Sequence, residues 1–209
     1  MTDELVFYTN PMSRGRISRW MLEETGQSYR TVLLDYGTTM KSADYLAINP
    51  MGKVPAITHR GEIITECAAI CAYLADAFPE ARLAPPLPER ARYYRWLFFA
   101  AGPVEAAVVN KALGVQVLPE RERMVGYGNM DCVLSALEGA LKGRDYIASD
   151  HFTAADVYVG AQLGWGMMFG TIEKRPTFEA YVARLQARPA YRRAEELDTA
   201  ASPAPASVA

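Results

Sequence analysis

The chain has few of the residues from which metal sites and disulfide frameworks are built. Its 209 residues include three cysteines, Cys67, Cys71 and Cys132, and two histidines, His59 and His151. An odd and sparse set of cysteines without paired spacing argues against a disulfide framework and is typical of the reducing cytoplasm. The histidines are too few and too far apart for a metal site. We therefore expect a cytoplasmic protein with no bound metal.

Strong net charge and long apolar runs are missing as well. The formal net charge is −2, so the clustered basic face that binds nucleic acid is not expected. No apolar run reaches the roughly 18–20 residues of a membrane span. The first residues, MTDELVFYTN, have neither the basic start nor the long apolar segment of a secretory signal. The sequence thus predicts neither a nucleic-acid partner nor a membrane partner.

The first part of the chain alternates strand and helix patterns. Its β–α–β order with a short helical connection predicts a parallel strand pair, followed by a hairpin that turns at Arg60-Gly61. The predicted elements are a strand at 5–9, a helix at 14–25, a strand at 29–35, a short helix at 42–48, the hairpin strands PAITH and EIIT, and a helix at 66–78. Together they indicate a small α/β layer with a mixed four-stranded sheet.

The composition then changes at a proline-rich stretch, PEARLAPPLPER, which is typical of an extended linker. Helical patterns follow at about 89–112, 120–142, 154–169 and 176–187. The fold class is therefore α/β plus all-α: a thioredoxin-like domain at 1–79, a linker at 80–89, an α-helical bundle at 90–198 and a disordered tail at 199–209.

The stretch NPMGKVPAI places Pro55 where a strand should begin. Proline cannot donate to a strand ladder, so it is tolerated only at the first residue or at an edge. A cis bond before Pro55 would turn the Val54 N–H and C=O outward, ready to pair with a peptide-like ligand. A trans Pro55 would merely start the strand. This motif by itself leaves both conformations open.

Four segments in order resemble the glutathione S-transferase superfamily, and in particular its bacterial cytosolic members. They are FYTNPMSRGRISRWMLEETG, LAINPMGKVPAI, ITECAAICAYLADAF and YIASDHFTAADVYVGAQL. The resemblance covers nearly the whole chain. The resemblance implies a homodimeric enzyme that uses glutathione as cosubstrate. It implies transfer of the glutathione thiolate to a small electrophile, which we expect to be hydrophobic.

The resemblance also implies roles in binding glutathione. Val54, before a cis Pro55, would pair with the cysteinyl amide, and Glu66 would meet the γ-glutamyl ammonium. Cys67 stands where most members have Ser, so the γ-glutamyl carboxylate would rely on the backbone N–H groups of the helix start. Glu66 could instead be a simple helix-terminal acid, and Cys67 a buried small residue. Lys53, or more weakly Lys41, would face the glycine carboxylate unless it is ordinary solvated surface.

Activation of the thiol has two candidate hydroxyl donors. Ser13, just before the first helix, matches the serine of bacterial and fungal relatives, and Tyr8 matches the tyrosine-type classes; Arg14 or backbone N–H groups are the remaining possibility. Ser13 could alternatively be an N-cap and Tyr8 a packed strand aromatic. The loop NPMSRG has no cysteine, which excludes a dithiol cycle at this position. A glutathione-dependent disulfide or peroxide reductase, and a non-catalytic glutathione-binding or assembly module, remain alternatives.

Two further patterns belong to the helical part. Thr153 and Asp156 form a capping box, which predicts a folding element whose loss costs about 1 kcal/mol through the cap. Aromatic residues are dense at 91–105, and we expect some of them to line the site of the second substrate, although ordinary core or a dimer interface would also explain them. The residues concerned are Tyr93, Tyr94, Trp96, Phe98 and Phe99, with Met167, Met168 and Phe169 further on.

Overall fold

The computed structural model describes residues 3–202, which form two compact units. The first unit comprises the residues up to Ala77 together with those from Arg188 onward, and the second is Phe78–Ala187. The predicted domain boundaries differ from this division, because they place the last segment with the helical bundle. The predicted domain boundaries stay a prediction. The two units are described separately below.

The strands are β1 (Val6–Thr9), β2 (Arg30–Leu33), β3 (Ala56–His59) and β4 (Glu62–Thr65). The helices are α1 (Gly15–Thr25), α2 (Ala43–Ile48), α3 (Cys67–Ala77), α4 (Ala91–Phe99), α5 (Glu105–Ala112), α6 (Met130–Leu141), α7 (Ala154–Met168), α8 (Pro176–Gln186) and α9 (Pro189–Ala201). Short 3₁₀ turns lie at Thr39–Lys41, Pro79–Ala81, Leu87–Glu89 and Pro119–Met124.

The first unit is built on a mixed sheet with the strand order β2-β1-β3-β4. β1 and β2 are parallel, whereas β1–β3 and β3–β4 are antiparallel. The β3–β4 hairpin turns at Arg60 and Gly61, with φ of 54° and 82°, and two positive φ values in succession suit the right-handed twist of the strands. The predicted thioredoxin-like α/β layer and its parallel pair are confirmed.

The two faces of this sheet are covered by different helices. Phe7 is fully buried beneath α1, where the guanidinium of Arg19 lies 5.2 Å from its ring. Tyr8, on the opposite face because side chains alternate along a strand, packs against Leu34, Met40 and Tyr45. The end of α2 contributes to that second cluster, so both faces have an apolar core.

The last helix, α9, is held against α1 by ion pairs. The Arg19 Nε atom lies 2.7 Å from Asp198 Oδ1, with side chains 4% and 0% exposed. Two guanidinium nitrogens of Arg188 each lie 2.7 Å from a carboxylate oxygen of Glu24. The sequence analysis did not predict α9. This helix has only two large apolar residues, Tyr191 and Leu197, and its attachment depends on charges distant in sequence.

Other helix boundaries also differ from the prediction. The helix predicted at 89–112 consists of α4, a π-helical segment at Ala100–Val104 that contains Pro103, and α5. The helix predicted at 120–142 begins only at Met130, because Gly128 has a φ of 65° and the Asn129 side chain caps the helix by accepting from the Cys132 N–H. Thr199–Ala201, placed in the disordered tail by the sequence, belong to α9, and residues 203–209 lie outside the described part of the chain.

The second unit is helical, as predicted, and Asp156 lies at its centre. This carboxylate is fully buried and accepts four hydrogen bonds. The Ile147 N–H and the Tyr181 hydroxyl each lie 2.8 Å from Oδ1, and the Thr153 N–H and hydroxyl lie 2.9 and 3.1 Å from Oδ2. The predicted capping box is therefore present. It also connects α7 to α8 and to the segment before α7.

We expect Asp156→Ala to lower the free energy of unfolding by about 3 kcal/mol, which exceeds the value of a cap because several buried donors lose their acceptor. Urea unfolding measures the change. Asp131→Ala, an exposed acid in the first turn of α6, is the matched control and should cost less than about 0.5 kcal/mol. Similar losses in the two variants would contradict this account of Asp156.

Gly15 allows α1 to begin directly against the end of β1. A Cβ at this position would lie 1.9 Å from Thr9 Oγ1 and 2.9 Å from Ser13 Oγ, both far inside contact distance. We expect Gly15→Ala to destabilise the fold by about 1–3 kcal/mol, since the buried Thr9 cannot move away. Thermal unfolding followed by circular dichroism would measure this.

The control for Gly15 is Gly139, which lies inside α6 with open space around its Cβ position. Gly139→Ala should stabilise the protein by about 0.5–1 kcal/mol, because alanine has the higher helix propensity. A stabilising Gly15→Ala would show that the close approach to Thr9 does not constrain the packing of α1.

Candidate functional site

The predicted site residues of the first unit meet at one edge of its sheet. Tyr8, near the end of β1, pairs with Ala56 at the start of β3, which in turn pairs with Thr65 at the end of β4. α1 and α3 both begin just beyond this edge, and the Cys67 thiol at the start of α3 lies 3.7 Å from the Arg14 carbonyl oxygen. Segments far apart in sequence therefore contribute to a single surface.

Val54 presents main-chain groups at this edge. The Val54–Pro55 peptide bond is cis, which resolves the two alternatives left open by the sequence. Among residues 3–202, neither the N–H nor the C=O of Val54 has a hydrogen-bond partner. Both groups are thus available to pair with an extended peptide-like ligand.

The carbonyl before Val54 is fixed by two side chains. The Tyr45 hydroxyl and the Asn49 amide donate to the Lys53 carbonyl oxygen over 2.6 and 2.7 Å. These donors fix the backbone immediately before the Val54 groups. The sequence analysis missed both residues, and Asn49 in the motif NPMG was the available signal, because a buried asparagine in a turn usually bonds to backbone.

Glu66 and Cys67 lie at the start of α3 with different surroundings. Glu66 is exposed and has a φ of 62°, a conformation uncommon for residues other than glycine. The Cys67 thiol is buried and lies 3.4 Å from the Ser18 hydroxyl of α1. A hydrogen bond with Cys67, together with burial, raises the pKa of Cys71 well above its ordinary value. The Cys67 side chain thus packs toward α1, as the buried-residue alternative describes.

Ser13 lies in a turn that precedes α1. Its hydroxyl donates to the Asn10 carbonyl oxygen at 2.6 Å and accepts from the Gly15 N–H at 2.9 Å. Arg14, which is exposed, occupies the N-cap position without a side-chain cap bond. Ser13 is half-buried, so its oxygen is held in place while part of the side chain remains accessible. Tyr8 is also half-buried, with its ring 5.7 Å from the ring of Tyr45.

The two candidate lysines have different environments. The Lys41 ammonium donates to the Gly52 carbonyl oxygen at 2.8 Å and lies 3.4 Å from that of Met51. Lys41 therefore braces the loop before Val54. Lys53 is exposed within that same loop, where its charge is available to an anionic ligand.

The aromatic residues of the second unit divide into core and surface. Tyr93 and Trp96 are 1% and 4% exposed and belong to its core. Phe98 is 66% exposed, and Tyr94 is also exposed. At the end of α7, Met168 and Phe169 are exposed by 66% and 71%. The exposed members are the ones that could contact an apolar molecule.

Two kinds of feature are absent from residues 3–202. These residues include no group of three or more His, Cys, Asp or Glu side chains arranged to hold a metal ion. None of the helices within this range is long and apolar enough to cross a membrane.

Known proteins are similar to this chain over most of its length. The family model for the N-terminal domain of glutathione S-transferase matches residues 4–76, and that for the C-terminal domain matches residues 119–189. The glutathione S-transferase GstA of Escherichia coli O157:H7 is 30% identical over 193 residues, which cover 88% of this chain and 93% of that protein.

Solved structures agree with the sequence matches. A sphingomonad glutathione S-transferase complexed with glutathione is 31% identical, with a TM-score of 0.75, and the match covers 93% of this chain and 98% of the other. A glutathione transferase from Methylococcus capsulatus str. bath is 31% identical with a TM-score of 0.77, over 94% of this chain and 99% of the other. The chain therefore belongs to the glutathione S-transferase family and is a glutathione transferase, with glutathione as its cosubstrate.

Proposed function

We propose that the sheet edge formed by β1, β3 and β4 binds glutathione through the main chain of Val54. The observation that carries this proposal is the unpartnered N–H and C=O of Val54 within residues 3–202, fixed by the bonds of Tyr45 and Asn49 to the preceding carbonyl. Both groups would pair with the cysteinyl residue of the tripeptide, in the manner of an added strand. Pro55 keeps this edge free of a ladder hydrogen bond, because proline has no N–H.

The charged ends of glutathione would be held on either side of Val54. Glu66, exposed at the start of α3, would accept from the γ-glutamyl ammonium. The first backbone N–H groups of α3, beginning at Cys67, would bind the γ-glutamyl carboxylate, since a helix N-terminus favours an anion. Lys53 would attract the glycine carboxylate. Lys41 is the second candidate for that role, and its bonds to the loop support a bracing function instead.

The thiolate would be stabilised by the hydroxyl of Ser13. Support comes from its position in the turn that starts α1, where its oxygen is held by the Gly15 N–H and the side chain is partly accessible. The hydroxyl would turn its proton from the Asn10 carbonyl oxygen toward the sulfur as the thiol ionises. Arg14, next in sequence, would add positive charge. Tyr8 is the alternative donor, and its packing against Tyr45 supports a structural role for it.

The second substrate would be a small hydrophobic electrophile. The exposed Phe98, Met168 and Phe169 support this class, because each offers apolar surface to a ligand of similar character. Attack of the glutathione thiolate on the electrophilic carbon would form the new C–S bond, and the leaving group would depart with the electron pair of the broken bond.

We further propose that the protein works in the cytoplasm as a homodimer. Its three cysteines are free, and two of them lie one helical turn apart, which suits a reducing compartment. Family membership supports the dimer. Light scattering should give twice the mass of one chain, and a monomer across the working concentration range would reject it.

The roles of Ser13 and Tyr8 are separated by an ultraviolet difference titration of bound glutathione between pH 5 and 9. Ser13→Ala should raise the apparent pKa of the bound thiol by about 0.5–1.5 units, because the thiolate loses a charge-assisted hydrogen bond that is partly offset by the bond to Asn10 that Ser13 gives up. The activity profile should move to higher pH by the same amount, since less thiolate is present at neutral pH. Ser135→Ala, an exposed serine on α6, is the control and should match the parent protein.

Tyr8→Phe should leave the apparent thiol pKa unchanged, because in this proposal the Tyr8 hydroxyl does not donate to the sulfur. The ring keeps its contact with Tyr45, so the packing is retained. An unchanged pKa in Ser13→Ala together with a raised pKa in Tyr8→Phe would assign the activation to Tyr8. Calorimetric binding of glutathione without a thiolate signal in the parent protein would contradict thiol activation altogether.

A further inference from the structure

Arg16, in the first turns of α1, bridges two parts of the first unit. Its Nη1 atom donates to the Pro11 carbonyl oxygen at 3.3 Å, and its Nη2 atom donates to Glu195 Oε2 on α9 at 2.7 Å. The guanidinium has donors on both sides of its planar fork, so a single side chain holds both acceptors in a defined geometry. Arg16 thus connects α9 to the turn at Asn10–Ser13.

That turn fixes the hydroxyl of Ser13. The Ser13 N–H and hydroxyl both bond to the Asn10 carbonyl oxygen, at 3.1 and 2.6 Å. Asn10 is in turn held by its own amide, which donates to the Leu34 carbonyl oxygen at 2.8 Å. Pro11 follows Asn10 directly, so a shift of its carbonyl group changes the backbone that presents Ser13.

The other end of the bridge is held independently of Arg16. Asp198, three residues after Glu195, is fully buried against Arg19, and residues three apart share a face of a helix. The ion pair of Arg188 with Glu24 holds the beginning of the same helix. Glu195 is therefore held toward α1 by the docking of α9 as a whole. Its carboxylate accepts the hydrogen bond that keeps Arg16 in the bridging position.

We propose that Arg16 and Glu195 are positioning residues for the reaction, and that they act by orienting the turn that presents the Ser13 hydroxyl to the glutathione sulfur. This inference rests on the proposed role of Ser13. It assigns the last helix of the chain a part in thiol activation, through contacts within the first unit.

A purely electrostatic effect of the pair would shift the thiol pKa of the Glu195→Gln variant in the direction opposite to that expected from positioning. Glu195→Gln removes a negative charge, and the loss of its repulsion of the thiolate would by itself lower the pKa of a nearby thiol. Loss of positioning would raise it, because the hydroxyl would no longer be directed at the sulfur. Arg16→Lys retains the charge, but a single ammonium lacks the planar fork that holds both acceptors, so it tests geometry alone.

The test is the apparent thiol pKa of bound glutathione in the full chain, together with kcat and with KM for glutathione. Arg16→Lys and Glu195→Gln should each raise the pKa by about half a unit and lower kcat at neutral pH about threefold, with little change in KM, as expected for a partly exposed pair. Glu195→Asp, which keeps the carboxylate, should restore part of the effect. Arg193→Lys and Glu196→Gln, from an exposed pair on α9, should match the parent protein.

A parent-like pKa in both variants, or a lower pKa in Glu195→Gln, would overturn the inference. Ser13→Ala, measured alongside, separates the two levels of the argument. If Ser13→Ala raises the pKa and Arg16→Lys does not, the bridge is irrelevant while the role of Ser13 stands. If Ser13→Ala leaves the pKa unchanged, both fall together. In the double variant Ser13→Ala/Arg16→Lys, the pKa should rise no further than in Ser13→Ala alone, and an additive rise would contradict action through Ser13.

Discussion

The buried pair of Arg19 and Asp198 is the interaction on which the first unit depends. Arg19 reaches the face of the Phe7 ring, donates to Asp198 over 2.7 Å and lies 3.2 Å from the Tyr29 hydroxyl. Burial raises the pKa of Asp198, although the attraction of Arg19 opposes that rise. Such a pair adds little net stability over apolar packing, but loss of one partner leaves a buried charge without compensation. It therefore specifies how α1, the sheet and the last helix fit together.

In the proposed binding mode, recognition at the sheet edge relies chiefly on the main chain. The Val54 groups and the first N–H groups of α3 need a backbone geometry and place little demand on the side chains at those positions. In this mode a cysteine can stand at position 67, where its buried thiol lies 3.4 Å from the Ser18 hydroxyl. Side chains contribute indirectly, by fixing the backbone. Tyr45 and Asn49, for example, donate hydrogen bonds to the carbonyl oxygen of Lys53.

Local patterns predicted what depends on local physics. The strands, α1, α3, α7 and α8 follow from apolar periodicity and from turn residues such as Gly26 and Gly61, and the ordered motifs indicated the family. The sequence did not predict α9 because its buried contacts, above all that of Asp198 with Arg19, join residues 179 positions apart. The start of α6 was predicted too early because residues 119–124, PERERM, have a helix-forming composition. The left-handed conformation of Gly128 prevents one helix from continuing through this region into α6. The bonds of the Ser13 hydroxyl are local, to Asn10 and Gly15, but they depend on a turn conformation that residue spacing does not specify.

The proposed activation cannot rest on one hydroxyl. Lowering a thiol pKa by about two units requires roughly 2.7 kcal/mol of preferential thiolate stabilisation. A hydrogen bond to a charged group contributes about 1.5–3 kcal/mol, and releasing the Asn10 carbonyl oxygen costs Ser13 a neutral bond of about 1 kcal/mol. The N-terminal partial charge of α1 adds about 0.3–1 kcal/mol. The remainder has to come from the cation Arg14 and from a turn rigid enough that the hydroxyl loses little freedom when it reorients. For this reason the proposed anchoring of that turn to α9 matters for the chemistry.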